Sequence, residues 1–438
     1  MAIGVEAAYE AVELESVITL IPDLTPRDTS LYGLLLDNAQ KVQVSNVTSG
    51  GGILRPSMRA PFRPQAGAAL SVGTGDNDSL GLGTASAYQA FALSPIFHFG
   101  VCQLSHLAQV SMEGRKRGLF NLQAQEIKYS FDSFMEGIES QINGDATGTL
   151  QVIPSTATIN NNTGTGNQTS SIVGIPNAFQ IQDQQTVQIF NPVGPALRGT
   201  ATVSVNDPVG QAVYFSTALP VGTALGDLIV VSGANASAGS AVAGLLYWHV
   251  NSNTGTVAGV SRSQYPTRLS TPTINLNGGA LNTGIGHRAQ ENLALAVGMK
   301  GEAFQKGVWY CGPDQARQMF NLTLNILMQD ALRARGDVNP DIVSKGWNDQ
   351  FCGRKVIVGM HATPGRIDMV VPDMWHIGEL VPPQLYDFGG GNTVMPAVDT
   401  ATGSYRTSFI FAYETAFQLI NSAPRLALYI QNAAILTP

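Results

Sequence analysis

The sequence predicts an α+β fold on three observations. A helical hydrophobic pattern runs through residues 114–142, where Leu119, Leu122, Ile127, Phe131, Phe134, Ile138 and Ile142 recur at gaps of three to five. Residues 146–262 hold short β-type runs separated by turns rich in Gly and Pro, the pattern of a sheet or barrel. Residues 276–394 return to alternating helix and strand signals.

The chain has 438 residues, room for one large or two to three ordinary domains. Charged residues make up 13% of it, against roughly 25% in an average soluble protein. Its polar surface is therefore made largely of Ser, Thr, Asn, Gln and Gly. Ions lose hydration in interface cores and are depleted there. So low a charge fits a chain that hides surface against its own copies, and fits an ordinary β-rich protein equally well. The net charge of −7 gives no sign of the basic face that a sequence-specific nucleic-acid reader carries. Cys102, Cys311 and Cys352 form no CxxC pair and suit a reducing compartment better than a disulfide framework. No signal peptide is visible in MAIGVEAAYEAVELE, and no run of about 18 apolar residues marks a membrane span.

In chain order, residues 5–18 read as a short acidic helix carrying Glu6, Glu10, Glu13 and Glu15. Residues 30–48 alternate in part and are expected to reach a strand. Residues 49–103 open with Gly50, Gly51 and Gly52 and carry Pro56, Pro61 and Pro64 together with Tyr88, Phe91, Phe97 and Phe99. This segment reads as a two-stranded flap with strands near 53–65 and 87–101. An isolated hairpin is marginal in water, so the flap needs a neighbour to lie on. The 114–142 helix, stopped by Asn143-Gly144-Asp145, would span roughly 40 Å.

Within 146–262 the only ionic side chains are Asp183, Arg198, Asp207, Asp227 and Arg262. Strands are expected at Thr186 to Phe190, Thr200 to Val205, Ala212 to Ser216, Asp227 to Ser232 and Leu245 to Val250, with a mobile loop at Asn160 to Gln168. Further on, His287 to Val297 reads as a helix and Gly307 to Cys311 as a buried strand. Pro313 suits the first position of a helix running to about Arg335. Strands near 354–359 and 367–371 follow, then closing strands Tyr405 to Ile420 and Leu426 to Gln431, split by Pro424.

Sites of chemistry are not apparent. The sequence has no HExxH, GxSxG, CxxC or Walker pattern, and its six histidines share no metal-ligand spacing. Asp76-Asn77-Asp78 fails as a calcium loop, because Leu80 and Ala87 stand where oxygen ligands belong. No catalytic residue, metal or cofactor is expected, and the chain does not read as an enzyme. Two charge features remain. Arg115, Lys116 and Arg117 open the long helix, where cations oppose its macrodipole. They read either as a solvated helix end or as partners of the Glu6–Glu15 arm of the same or an adjacent copy. Arg55, Arg59 and Arg63 lie in the flap, where prolines forbid a helical face; they read either as solvated side chains or as pinning the flap to an acidic neighbour, and the second is preferred because a lone flap needs contacts.

The order of these parts resembles the tailed-phage major capsid proteins, the Hong Kong 97-type fold shared with encapsulin shells. The likeness spans nearly the whole chain. It is carried by QINGD (141–145), GDLIVVSGA (226–234), GLLYWHVNSNTGTVAGVSRSQYP (244–266) and GVWYCGPDQARQM (307–319) in that order. The resemblance implies an N-terminal arm (1–48), an E-loop flap (49–103) and a P-domain with the spine helix (104–150). A β-rich insertion or P-domain extension (151–234), more P-domain (235–275), an A-domain (276–394) and closing P-domain strands (395–438) follow. It implies a virion protein, assembled in the host bacterial cytoplasm, that self-assembles as hexamers and pentamers into an icosahedral head around double-stranded DNA.

Implied partners are other copies, a portal, a separate scaffolding protein (only about 48 residues precede the flap) and a possible cement protein, with no membrane. Gly50–Gly52 and Gly389–Gly391 are hinge candidates. Some relatives weld neighbours through a flap lysine. No Lys occurs between Lys41 and Lys116, so that crosslink is closed to this chain. The alternatives are an encapsulin-like compartment, which generally lacks so long an insertion, and a β-rich tail or fibre protein, against which the spine helix and the absence of an internal repeat argue.

Overall fold

A computed structural model describes residues 30–38, 40–41, 44–48, 54–65, 86–105, 122–161, 170–176, 178–297, 306–322, 350–389, 392–398 and 405–435. The expected 5–18 helix, Arg115–Arg117, Gly50–Gly52, the 76–81 segment and residues 323–335 lie outside them. Two compact units form. One joins Ile96–Glu139 with Leu380–Phe417; the other joins Ser30–Pro95, Ser140–Glu379 and Gln418–Pro438.

In the first unit, strand Ile96–Ser105 pairs antiparallel with the long strand Tyr405–Asn421, from Ile96 opposite Phe417 to Ser105 opposite Ser408. Val394–Val398 pairs on that strand as well. The spine helix is Leu122–Ile142, about 30 Å long. Residues 114–121 of the expected helix are outside the described set. Its apolar stripe packs Ile127, Phe131 and Phe134 against Cys102, Phe411 and Tyr413, and the Tyr413 hydroxyl donates to the Ile127 carbonyl.

The second unit opens with helix Ser30–Asn38, so the strand expected within 30–48 forms only after it, at Gln40–Lys41 and Val44–Thr48. The reason is the spacing of the buried side chains, Leu31, Tyr32 and Leu35, which is helical and not alternating. Three strands then form the flap sheet, in the order Val44–Thr48, Leu54–Gln65, Ala87–Leu93. The expected two-stranded flap is thus three-stranded. Its last strand stops at Leu93, because Pro95 lacks the donor a continuous ladder needs. Leu54–Gln65 tolerates its prolines because it is never flanked on both sides for long. Residues 54–58 pair with Val44–Thr48, residues 58–65 pair with Ala87–Leu93, and only Met58 is shared.

Residues 149–231 form a seven-stranded sheet of their own, in the order 149–152, 228–231, 186–191, 196–207, 212–215, 170–173, 158–161. Its apolar core includes Ile153, Ile172, Ile181, Val187, Ile189, Val203, Val213, Phe215 and Ile229. Asp227, almost fully buried, takes Arg198 through Nε at 2.7 Å and Nη2 at 2.9 Å. The four sheet strands expected between 186 and 232 are present within one to four residues. Leu245–Val250 is not a strand: Leu245–Trp248 is one helical turn, and the Trp248 indole donates to the Ala243 and Leu419 carbonyls at 2.9 and 3.2 Å. Apolar residues in a run do not distinguish a buried turn from a buried strand.

A six-stranded sheet closes the unit, in the order 273–275, 428–431, 367–370, 308–311, 354–358, 350–351. Val308–Cys311 is central and buried, as its composition predicts. Helix Thr283–Val297 begins four residues earlier than expected, since Asn282 Oδ1 accepts the Ile285 N–H at 2.9 Å and so caps it. Pro313 opens a helix described over residues 313–322. All three cysteines are free thiols.

Candidate assembly surfaces

The flap has two unlike faces because its strand alternates. Met58, Ala60 and Pro64 are buried on one face; Arg59, Pro61 and Arg63 are exposed on the other. The two arginines therefore share a strand face, roughly 13 Å apart, and among the described residues neither has an ion-pair partner. Arg55 lies in the same strand, but its side chain is outside the described set, as are Glu6, Glu10, Glu13, Arg115, Lys116 and Arg117. The structure therefore brings together two of the charged candidates, Arg59 and Arg63.

The inner face of the flap does not wait for a neighbour. Phe62 stacks on Phe91 at 4.2 Å, Phe91 meets Trp248 edge-on at 5.1 Å, and the Ala92 N–H donates to the Ala258 carbonyl at 3.0 Å. Met58 fills the space left by Gly378, where a Cβ would collide with it. The base of the flap is therefore anchored on its own chain, which corrects the expectation of a flap wholly dependent on another molecule.

In the other unit, strand Ile96–Ser105 turns large apolar side chains outward. Phe97, Phe99 and Val101 are 49%, 58% and 70% exposed. The Phe97 and Phe99 rings stack at 6.2 Å, and Tyr386 meets Phe99 edge-on at 5.9 Å. The alternate residues His98, Gly100 and Cys102 take the other face of the strand. Space at Gly100 explains the inversion, because a Cβ there would stand 2.7 Å from the Phe134 ring. The alternation in FHFGV separates two faces without saying which is covered; the helix on the far side decides it.

A second exposed feature went unread in the sequence. Pro-Val-Gly occurs at 192–194, 208–210 and 220–222, each time in a turn of the seven-stranded region. The valines stand 82%, 88% and 95% exposed at Val193, Val209 and Val221. Polar atoms hold these turns: Asn191 Oδ1 accepts from Val193 N at 3.0 Å, Asp207 Oδ1 from Gly210 N at 2.8 Å, and the Pro220 carbonyl from Thr223 Oγ1 at 2.7 Å. A repeated tripeptide was the available signal.

Among the described residues no His, Cys, Asp or Glu group is arranged to hold a metal ion, and no helix is long and apolar enough to cross a membrane.

No family model and no curated protein matches the sequence. Solved structures do match. A chain of the cyanophage A-1(L) capsid asymmetric unit aligns over 96% of both chains at 13% identity, with a TM-score of 0.53. A capsid chain of an empty GTA particle aligns over 99% of both at 11% identity and TM-score 0.44. A Mycobacterium phage Adephagia chain aligns over 97% of this chain and 98% of its own, at 8% identity and TM-score 0.44. On the cyanophage likeness, this chain has the fold of the phage capsid proteins that its sequence resembles.

Proposed function

We propose that the chain is the major capsid protein of a tailed double-stranded DNA phage, self-assembling into the icosahedral shell of the head. The observation that carries this reading is the near end-to-end likeness, at TM-score 0.53, to a chain of a phage capsid asymmetric unit. The surface chemistry supports it: among the described residues the aromatic stripe at Phe97–Val101 is exposed and two arginines on one flap face lack ion-pair partners, which is what a monomer leaves for its neighbours.

On this reading the flap as far as Pro95 is the E-loop, strand Ile96–Ser105, the spine helix and the closing strands belong to the P-domain, and 276–394 is the A-domain. Residues 151–234 are an insertion in or beside the P-domain. Arg59 and Arg63, with Arg55, meet carboxylates of an adjacent copy, and the Glu6–Glu13 arm offers such groups. Arg115, Lys116 and Arg117 form a second basic cluster for the same contacts. Many contacts of a few kcal/mol each suffice, because a subunit touching several neighbours gains by multivalency. Hexamers and pentamers of one chain need a hinge, and Gly50–Gly52 supplies it. A separate scaffolding protein and a portal complete assembly, and non-covalent cohesion through flap pairing, arm contacts or a cement protein takes the place of the missing lysine crosslink.

Sedimentation of the full-length chain, expressed alone and with its neighbouring genes, tests the proposal. Particles of shell size are expected, with nuclease-protected DNA inside those recovered from infected cells. Sedimentation only as small species under every condition refutes the shell role, and particles filled with a protein cargo refute the phage role. Replacing Gly50–Gly52 with alanines is expected to give misclosed particles; normal full-sized shells would dismiss the hinge.

A further inference from the structure

Beneath the surface of the second unit lies a buried ionisable cluster that the shell reading does not use. His249 is fully buried, and its Nδ1 stands 2.9 Å from Asp368 Oδ1. Arg366 grips the same carboxylate twice, Nε to Oδ2 at 2.8 Å and Nη2 to Oδ1 at 2.9 Å, while Nη2 also donates to the His249 carbonyl at 2.9 Å. The guanidinium lies 4.2 Å over the Tyr429 ring, and the Tyr429 hydroxyl accepts the Asn251 N–H at 3.2 Å. The cluster thus ties segment 245–271 to strands Ile367–Val370 and Leu428–Gln431 of the six-stranded sheet.

Charge is balanced only while the imidazole is neutral. The carboxylate, already neutralised by Arg366, accepts the Nδ1–H, which leaves Nε2 as a bare lone pair. Nε2 is buried and, among the described residues, has no hydrogen-bond partner. Protonation would place a second cation in the cluster and create an N–H with no acceptor, both costly in a dry interior.

The other groups facing this site do not relieve it. Tyr310 and Tyr429 flank Asp368 in the sheet register, and the Trp375 ring centroid lies 5.8 Å from that of the imidazole, its buried indole N–H being a donor that cannot accept a new imidazole N–H. His376 follows Trp375 on a strand and points to the opposite side. The Cys311 thiol is pushed up to about 12, first by burial and then by Asp368, and stays neutral. Tyr247 adds a neutral phenol, and Arg262 adds a further cation, its Nη1 donating to the Leu269 carbonyl at 2.7 Å.

We infer that His249, Asp368 and Arg366 form an acid-released latch that holds segment 245–271 on the six-stranded sheet when the imidazole is neutral and frees it when the imidazole is protonated. The sign follows from burial. Burial, foremost, and Arg366 push the His249 imidazole below its ordinary value, outweighing the upward pull of Asp368. The opened state therefore binds the proton first. Closure is complete above about pH 6.5 and weakens by up to tenfold per pH unit below it, until the folded imidazole itself titrates. Burial tends to raise the Asp368 carboxyl, but Arg366 and His249 hold it below its ordinary range, so its own protonation acts only in a lower window.

Hydrogen–deuterium exchange of the full chain, read on peptides within 245–271 and corrected for intrinsic rate, tests the latch between pH 7.5 and 4.5. Local readout separates it from His98 and His376, which burial also pushes down. Exchange in those peptides is expected to rise up to tenfold per unit below about pH 6.5, and to lose that slope in His249→Gln. A flat wild-type profile, or an equal slope in the variant, overturns the latch. Should His249→Gln not fold, exchange of the imidazole C2 hydrogen in the wild-type chain decides. A titration midpoint below that of a free histidine supports the latch, and one at or above it overturns it.

Discussion

At the scale of single residues, the tightest constraint is Gly244. A Cβ there would run into the backbone carbonyls of Gln141 and Ile142, which cannot swing aside as a side chain tip can. Gly244→Ala is expected to cost about 3 kcal/mol, the upper end of the overpacking range, seen as a fall in the denaturant midpoint. Gly33 is the contrast. It sits in helix Ser30–Asn38 with nothing within 4 Å, so Gly33→Ala should gain roughly 0.5–1 kcal/mol by helix propensity alone. Equal effects from the two substitutions would show that the close approach at Gly244 is not real. Asp227→Ala strands Arg198 and the Ala224 N–H that the carboxylate accepts at 2.7 Å, and should cost about 3 kcal/mol in the same assay. None of these is visible in the sequence: Gly244 is one of 47 glycines, and only the fold shows which meets a backbone.

At the scale of elements, legibility followed the strength of the local pattern. The spine helix, GVWYC and the closing strands were readable because each has an unambiguous period or a fully apolar run. Leu245–Trp248 was misread because a single buried turn looks like a short strand. The flap was found by its prolines and aromatics, but its docking was hidden, since contact between Phe91 and Trp248 joins residues far apart in sequence. Phe91→Ala is expected to cost about 3–5 kcal/mol and to raise hydrogen exchange throughout 87–93. Unchanged protection there would mean that the flap base is not anchored on its own chain. The outward turn of Phe97 and Phe99 was likewise illegible, because it is set by Phe134 from the helix beneath.

At the scale of the whole molecule, the two surfaces proposed for assembly differ in chemistry. On that proposal the aromatic stripe would supply apolar area and Arg59 with Arg63 would supply charge, so the two should respond differently. Phe97→Ser with Phe99→Ser should weaken assembly at any ionic strength. Arg59→Glu with Arg63→Glu should weaken it most at low salt, where screening is least. Light scattering against salt concentration separates them, and a charge variant that assembles like wild type at low salt would remove the arginines from the interface. The order of parts made the capsid-type fold legible in the sequence, whereas low charge fitted an ordinary β-rich protein equally well. Which faces do the joining was not, because exposure is a property of the folded chain.

Electron cryomicroscopy of the purified full-length chain probes the central claim most directly. Closed icosahedral shells are predicted, with Arg59, Arg63 and the Phe97–Val101 stripe covered by adjoining copies. Compact single molecules at high concentration, with those same faces in water, would contradict it.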